Sequence, residues 1–299
     1  MSELLQQIRS GDRRALARAI TLVENNLDGS EELLAALDLE NASPVVGITG
    51  PPGAGKSTLI SMLTGHLTAQ GKTVAVIAVD PTSPFNFGSL LGDRLRMAEH
   101  FTNPNVFIRS LATRGSLGGL SAKAIEVSDL VRAAGFDLVI IETVGVGQSE
   151  VEIAGLADTT VLVLVPESGD EVQALKSGIM EIADIFAVNK SDRPGANVFI
   201  RNLMQMLHAR PGGAWTPKLV KTIASKNEGA GELLEAIAAH RAAETSHEKR
   251  AWLYAEKAWR LIQQDRMKNI DRKELLATIS SQLAGGTFQL YRFVKTLVG

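Results

Sequence analysis

Seven short, largely aliphatic runs follow one another between residues 45 and about 223: VVGIT, TVAVIAV, VFIRS, LVIIE, TVLVLV, DIFAV and KLVKTI. Each is too short for a helix, and none shows the apolar–polar alternation of a half-exposed strand. Each therefore reads as a strand covered on both faces. Segments of helix length separate the runs, which is how parallel strands are joined by crossover helices. The expectation is a doubly wound α/β domain on a mainly parallel sheet. With 299 residues, 45% of them hydrophobic and 21% charged, the chain can bury the core such a sheet needs.

The flanks follow a different period. Leu4, Leu5, Ile8, Leu16, Ile20 and Leu22 recur at helical spacing, and Ser43-Pro44 ends the pattern, so residues 1–42 read as an N-terminal helical arm. After Glu244 the aliphatic runs stop and helix returns, with Trp252, Ala255, Trp259 and Ile262 spaced 3, 4 and 3 along one stripe. The stripe either covers the edge of the same subunit's core or forms a dimer contact, because large aromatics are enriched in interface cores. The expected division is an arm over 1–42, the α/β domain over 43–243, and a helical dimerisation segment over 244–299.

Charge and composition narrow the function classes. A net charge of −2 with no dense basic tract lacks the footprint of a nucleic-acid binder. The absence of cysteine excludes disulfides, thiolate metal sites and cysteine nucleophiles, and suits a reducing cytoplasm. MSELLQQIRSGDRRALARAI reads as a helix rather than a signal peptide, and no apolar block approaches the ~20 residues of a membrane span. A cytoplasmic protein with neither nucleic acid nor membrane as partner is expected.

The chemistry is concentrated in loops that follow the aliphatic runs. GPPGAGKST comprises Gly50, Pro51, Pro52, Gly53, Ala54, Gly55, Lys56, Ser57 and Thr58, and links the first run to a helical stretch. It fits the phosphate-loop pattern: glycines let backbone N–H groups converge on phosphate oxygens, and the next helix adds its N-terminal dipole. Lys56 would neutralise the β and γ phosphates, and Ser57 would offer its hydroxyl to Mg²⁺. A dinucleotide fingerprint, with Asp80 as the ribose acid, is the competing reading. It lacks its third glycine and leaves Lys56 and Ser57 without a task.

DIFAVNKSD ends in Asn189, Lys190, Ser191 and Asp192. The Asp192 carboxylate can accept from the two N–H donors on guanine's edge, which adenine cannot offer. Asn189 can donate to the purine ring, and Lys190 can lie along it. Ala224, Ser225 and Lys226, after the last run, are placed to supply a second base-contacting loop. Asp80, Asp93 and Glu142 complete a set of acids. Any one could be a helix cap or turn former, and Asp93 has Arg94 and Arg96 beside it for an ion pair. Converging at the carboxyl edge of an open sheet, the acids favour a Mg²⁺ site together with Ser57.

In this order, GPPGAGKST, VDPTSP, GSLLGDRLRM, ATRGSLGGL, IIETVGVGQSE, GDEVQALKSG and NKSD resemble the MeaB/ArgK group of P-loop GTPases over residues 43–235. The resemblance implies GTP hydrolysis to GDP that gates adenosylcobalamin delivery to a coenzyme-B12-dependent acyl-CoA mutase, above all methylmalonyl-CoA mutase, or removal of damaged cofactor. Carried over by motif, Lys56 and Ser57 hold phosphate and Mg²⁺, while Asp80, Asp93 and Glu142 are metal and switch acids. Asp192 reads guanine. Ser168–Gly178 would be an extra, partner-sensing switch loop with Asp170 and Lys176 as charged contacts.

ETVGVGQSE then parallels the D-x-x-G of other GTPases, with Glu142 in the acid's place and Gly145 as the γ-phosphate sensor. Val146 occupies the position of the usual water-orienting glutamine, and Gln148 sits two places later, where position alone does not assign it that task. Slow hydrolysis, accelerated by a partner, is expected. Ser116 stands where close relatives are expected to carry histidine, and GGTFQLYRFVKTLVG matches no family motif. Two other functions compete. A nickel-delivery GTPase would carry a cysteine pair or histidine tract, against no cysteine and five scattered histidines here. A kinase acting on an amino-acid transport component would need an acceptor site that the sequence does not supply.

Overall fold

The computed structural model describes residues 2–80, 97–112, 122–143, 153–168, 179–208, 215–243, 247–267 and 269–298. The chain forms two compact units, Met1–Leu253 and Tyr254–Gly299. In the first, all seven aliphatic runs become strands: β1 (Val45–Thr49), β2 (Val74–Asp80), β3 (Val106–Ala112), β4 (Leu138–Thr143), β5 (Thr159–Leu164), β6 (Ile185–Val188) and β7 (Lys218–Lys221). They make one sheet in the order β3-β2-β4-β1-β5-β6-β7, every neighbouring pair parallel. The last run gives the shortest departure from expectation. KLVKTI is strand only to Lys221, because Ile223 turns away to pair with Glu228.

Helices cover both faces, so the strands have no polar face to present and are buried throughout at β1, β4, β5 and β6. One face carries α4 (Lys56–Ala69) and α8 (Ala230–Ala243), whose Leu59, Leu63, Leu233 and Ile237 pack on Val46, Ile48, Ile140 and Val163. The other face carries α1 (Ser2–Arg9), α2 (Arg13–Glu24), α3 (Ser30–Ala35) and α5 (Ala122–Arg132) over β2, β4 and β1. On that side α6 (Ile179–Ile182) and α7 (Ala196–His208) cover β5 and β6.

The N-terminal helices are integral to this core. Ile8, Leu16, Ile20, Val23 and Leu33 are fully buried against Val45, Ile77 and Ile141, each side chain worth about 1.5–3 kcal/mol of burial. Polar contacts fix the same helices in place. The Asp12 carboxylate caps α2 by accepting from Arg14 N at 2.8 Å and Ala15 N at 3.0 Å, Arg13 lies 3.9 Å over the Phe136 ring, and Glu24 pairs with Arg109 of β3.

Helix α9 (His247–Met267) runs into the second unit, which continues with α10 (Arg272–Ala284) and α11 (Leu290–Val298). Asp271 caps α10 through Lys273 N and Glu274 N, and the Phe288 and Phe293 rings meet at 5.7 Å. Many of the large apolar side chains here are exposed, among them Trp259, Ile262, Leu276, Leu283, Leu290 and Tyr291, and so is Trp252. Trp252, Trp259 and Ile262 of the stripe are thus each more than half exposed. No described helix is long and apolar enough to cross a membrane.

Candidate functional site

The chain leaves β1 in one direction for β2 and β3, then returns through β4 to continue on β1's other side with β5, β6 and β7. Such a reversal opens a crevice at the carboxyl ends of the strands, where ligands of open α/β sheets bind. β1 and β4 are neighbours there, with Ile48 opposite Glu142, so the loop leaving β1 and the acid ending β4 share one edge.

Residues 50–55 form that loop, and its backbone conformation demands glycine at two points. Gly50 has φ 141°, and a Cβ would sit 2.2 Å from the Val163 carbonyl oxygen. Gly55 has φ 88°, and a Cβ would lie 2.5 Å from Asn189 Nδ2. Helix α4 starts immediately afterwards at Lys56, so its first-turn N–H groups and positive dipole end point into the loop. Lys56 is buried and donates from Nζ to Gly50 O at 2.8 Å and Pro51 O at 3.2 Å. Next to it, the Ser57 hydroxyl donates to Glu142 Oε1 at 2.8 Å, both side chains being buried. A carboxylate and a hydroxyl in contact at a cradle of N–H groups and an ammonium can together serve a polyphosphate and a hard cation.

A second group of residues fastens the loops after β6 and β7 to this cradle. Asn189, 2% exposed, donates from Nδ2 to Ala54 O at 2.9 Å, and its Oδ1 accepts from Ala224 N at 3.1 Å and from the Thr222 hydroxyl at 3.3 Å. One amide thereby joins three loops. Lys190, in the left-handed region at φ 55°, stretches across to donate to Gly53 O at 2.8 Å. Asp192 meets Lys226 Nζ at 2.8 Å, in the short 3-10 turn Ala224–Lys226 that also holds Ser225. The hydrogen bond from Lys226 holds the Asp192 carboxyl below its ordinary value, and the same bond holds the Lys226 ammonium above its own. An ionised, partly exposed carboxylate in this position can accept from paired N–H donors of a base.

The residues singled out in the sequence are in good part gathered at this one edge: Gly50 to Ser57, Glu142, Asn189 to Asp192, and Ala224 to Lys226. Thr58 is exposed on the first turn of α4. Asp80 ends β2 at the same edge, one residue beyond the Val79–Thr143 pairing, but its side chain lies outside the described residues. So do Asp93, Gly145, Gln148, Ser116, Asp170 and Lys176. Sequence reasoning missed Thr222, which orients Asn189. A hydroxyl closing an aliphatic run was the available signal, and nothing in its spacing pointed to Asn189.

A family model described as methylmalonyl-CoA mutase-associated GTPase MeaB matches residues 16–277. GTPase ArgK of Escherichia coli is 40% identical over 248 residues, covering 79% of this chain and 75% of its own length. The mouse mitochondrial methylmalonic aciduria type A homolog is 37% identical over 284 residues, covering 85% of this chain and 67% of its own. Among solved structures, a LAO/AO transport system kinase superposes with a TM-score of 0.70 at 28% identity, over 99% of this chain and 95% of that one. These matches agree with the phosphate loop on a doubly wound parallel sheet. The chain belongs to the MeaB family of methylmalonyl-CoA mutase-associated GTPases, and it is a GTP hydrolase with a P-loop GTPase fold.

Proposed function

We propose that this GTPase is a chaperone of a coenzyme-B12-dependent acyl-CoA mutase, methylmalonyl-CoA mutase in the first place, which gates adenosylcobalamin delivery and protects or reactivates the mutase. The observation that carries the reading is the match across residues 16–277 to a family whose description names association with that mutase. The mouse relative, named for methylmalonic aciduria, supports it.

In this reading the backbone of Gly50–Gly55 binds the phosphates of GTP. Lys56 exchanges its loop carbonyls for the β and γ oxygens. Asn189, Lys190 and Asp192 hold the guanine, with Ala224, Ser225 and Lys226 closing over it. Ser57 and Glu142 would hold Mg²⁺, and Asp80 and Asp93 would complete the acids around it. The donor set fits: two buried oxygen ligands suffice for an ion that takes the rest from water and phosphate. Among the described residues no cluster of three or more His, Cys, Asp or Glu offers a dedicated metal cage. When bound, Mg²⁺ neutralises charge developing on the transferred phosphoryl group. Gly145 senses the γ phosphate, and Asp170 and Lys176 contact the partner. The exposed apolar side chains of α9 to α11 pair two copies into a homodimer in the cytoplasm.

The test is transfer of adenosylcobalamin. The chain is mixed with apo-mutase and the cofactor in GDP and in a non-hydrolysable GTP analogue, and mutase loading is followed spectroscopically. Nucleotide-dependent loading is expected. Loading that ignores both the chain and its nucleotide would sink the reading. The solved protein of similar fold named as a transport system kinase gives a second reading. Label from γ-labelled GTP would then appear on a protein or amino acid instead of in free phosphate.

A further inference from the structure

Strand β4 ends in two adjacent residues that hold the two ends of the phosphate loop from opposite faces of the sheet. Glu142 lies on the face covered by α4, where it accepts the Ser57 hydroxyl at 2.8 Å. Thr143 lies on the other face, the one carrying Val45, Ile141 and the N-terminal helices. There its hydroxyl donates to Thr49 Oγ1 at 3.1 Å. Both threonines are 0% exposed.

Packing alone does not call for hydroxyls here. Valine has nearly the same shape as threonine, and the facing strands otherwise fill their buried positions with Val, Ile and Leu, apart from Gly47 and Glu142. Burying a hydroxyl costs free energy unless a hydrogen bond compensates, so the Thr–Thr pair carries a cost that a Val–Val pair would not. What the bond joins is informative. Thr49 directly precedes Gly50, whose backbone sits so close to the Val163 carbonyl that no Cβ fits, so Gly50 has little room to move independently. Thr143 directly precedes Val144 and Gly145.

We propose that the Thr143–Thr49 hydroxyl bridge is a positioning latch that ties the entry of the phosphate loop to the root of the γ-phosphate-sensing stretch. Glu142 makes this connection on one face through Ser57, and Thr143 makes it on the other through Thr49. With both faces held, a shift of β4's tip cannot occur without a matching shift at Gly50, so the tip of β4 and the phosphate loop respond to the γ phosphate together. The threonines act through their neighbours and are positioning residues. The inference rests on the phosphate-loop reading of residues 50–57.

Valine substitutions separate positioning from mere stability. Thr49→Val or Thr143→Val alone leaves the remaining hydroxyl buried without its partner and lowers the urea midpoint. The double variant removes both polar groups and recovers most of that loss, as expected when both members of a buried pair become apolar. If the bridge is a latch, the double variant keeps GDP affinity within about twofold. It nevertheless loses about fivefold or more of its preference for a GTP analogue over GDP, the scale of one hydrogen bond. Its kcat falls by a similar factor, its KM for GTP rises with the lost affinity because slow hydrolysis lets KM follow Kd, and Thr143→Ser, which retains the hydroxyl, behaves like the parent. A double variant with the parent's nucleotide preference and kcat overturns the latch. Should it not fold, Thr143→Ser and Thr143→Ala decide: equal preference for the GTP analogue in both overturns the proposal, and loss in the alanine variant alone supports it. A parent chain that binds no guanine nucleotide overturns the phosphate-loop reading, and the latch with it.

Discussion

The two ends of the chain are both amphipathic helices by periodicity, yet the structure treats them differently. At the N-terminal end, the apolar stripe of α1 to α3 is consumed by the sheet, with Ile8, Leu16, Ile20, Val23 and Leu33 fully buried. At the C-terminal end, Trp259, Ile262, Leu276, Leu283, Leu290, Tyr291, Val294 and Leu297 are all close to half exposed or more. An apolar stripe says that a face needs covering and leaves open what covers it. The N-terminal helices are therefore part of the nucleotide-binding unit's own stability. The C-terminal helices offer surface of the kind used to bind another protein.

Substitutions at the two ends should separate along the same line. Ile20→Ala opens a cavity under α2 and should destabilise the folded chain by about 2–5 kcal/mol in urea unfolding; a loss comparable to a surface substitution would mean the N-terminal stripe is not core. Replacing both Trp259 and Tyr291 with alanine should alter the unfolding free energy by no more than about 0.5 kcal/mol at each site. The same variant should shift the species seen in sedimentation velocity from dimer toward monomer. A large stability loss without a change in association would place these side chains in a core after all.

A smaller effect probes how α2 is started. Backbone bonds from Ala15 and Arg14 hold the Asp12 carboxyl below its ordinary value of 3.8. A lowered folded value means the cap's contribution is complete above 3.8 and is lost as pH falls through the lowered value. Asp12→Ala should therefore reduce the thermal midpoint at neutral pH by less than Ile20→Ala does, and the two chains should converge in strong acid. An Asp12→Ala penalty that persists unchanged in acid would show that the carboxylate is not the cap. Smallest of all, Gln148→Ala should alter basal turnover only modestly; collapse of turnover would make that glutamine catalytic.

The sheet was legible because parallel strands buried on both faces leave continuous aliphatic runs, and no other common architecture asks for seven of them in alternation with helices. The phosphate loop was legible because its glycines answer a local steric demand, visible in the 2.2 Å approach of a Gly50 Cβ to Val163. Contacts between distant segments were hidden. Asn189 was expected beside the base, but its bonds to Ala54 and Ala224 span 135 and 35 residues of sequence and depend on how β6 lies beside β5 and β7. The Thr49–Thr143 bridge likewise depends on the β1–β4 register, which the crossover helices set and no local pattern encodes. The fate of the tryptophan stripe was open for a related reason: Trp252 and Trp259 announce an apolar face with no information about its partner.

The most direct test of the account is steady-state phosphate release from GTP by the full chain, alone and titrated with a coenzyme-B12-dependent acyl-CoA mutase, with Lys56→Ala as control. Slow release alone, clear acceleration as the mutase is added, and none above background from Lys56→Ala in either condition is the predicted result. A rate unchanged by saturating mutase, or a Lys56→Ala variant that keeps the parent's rate, would contradict it.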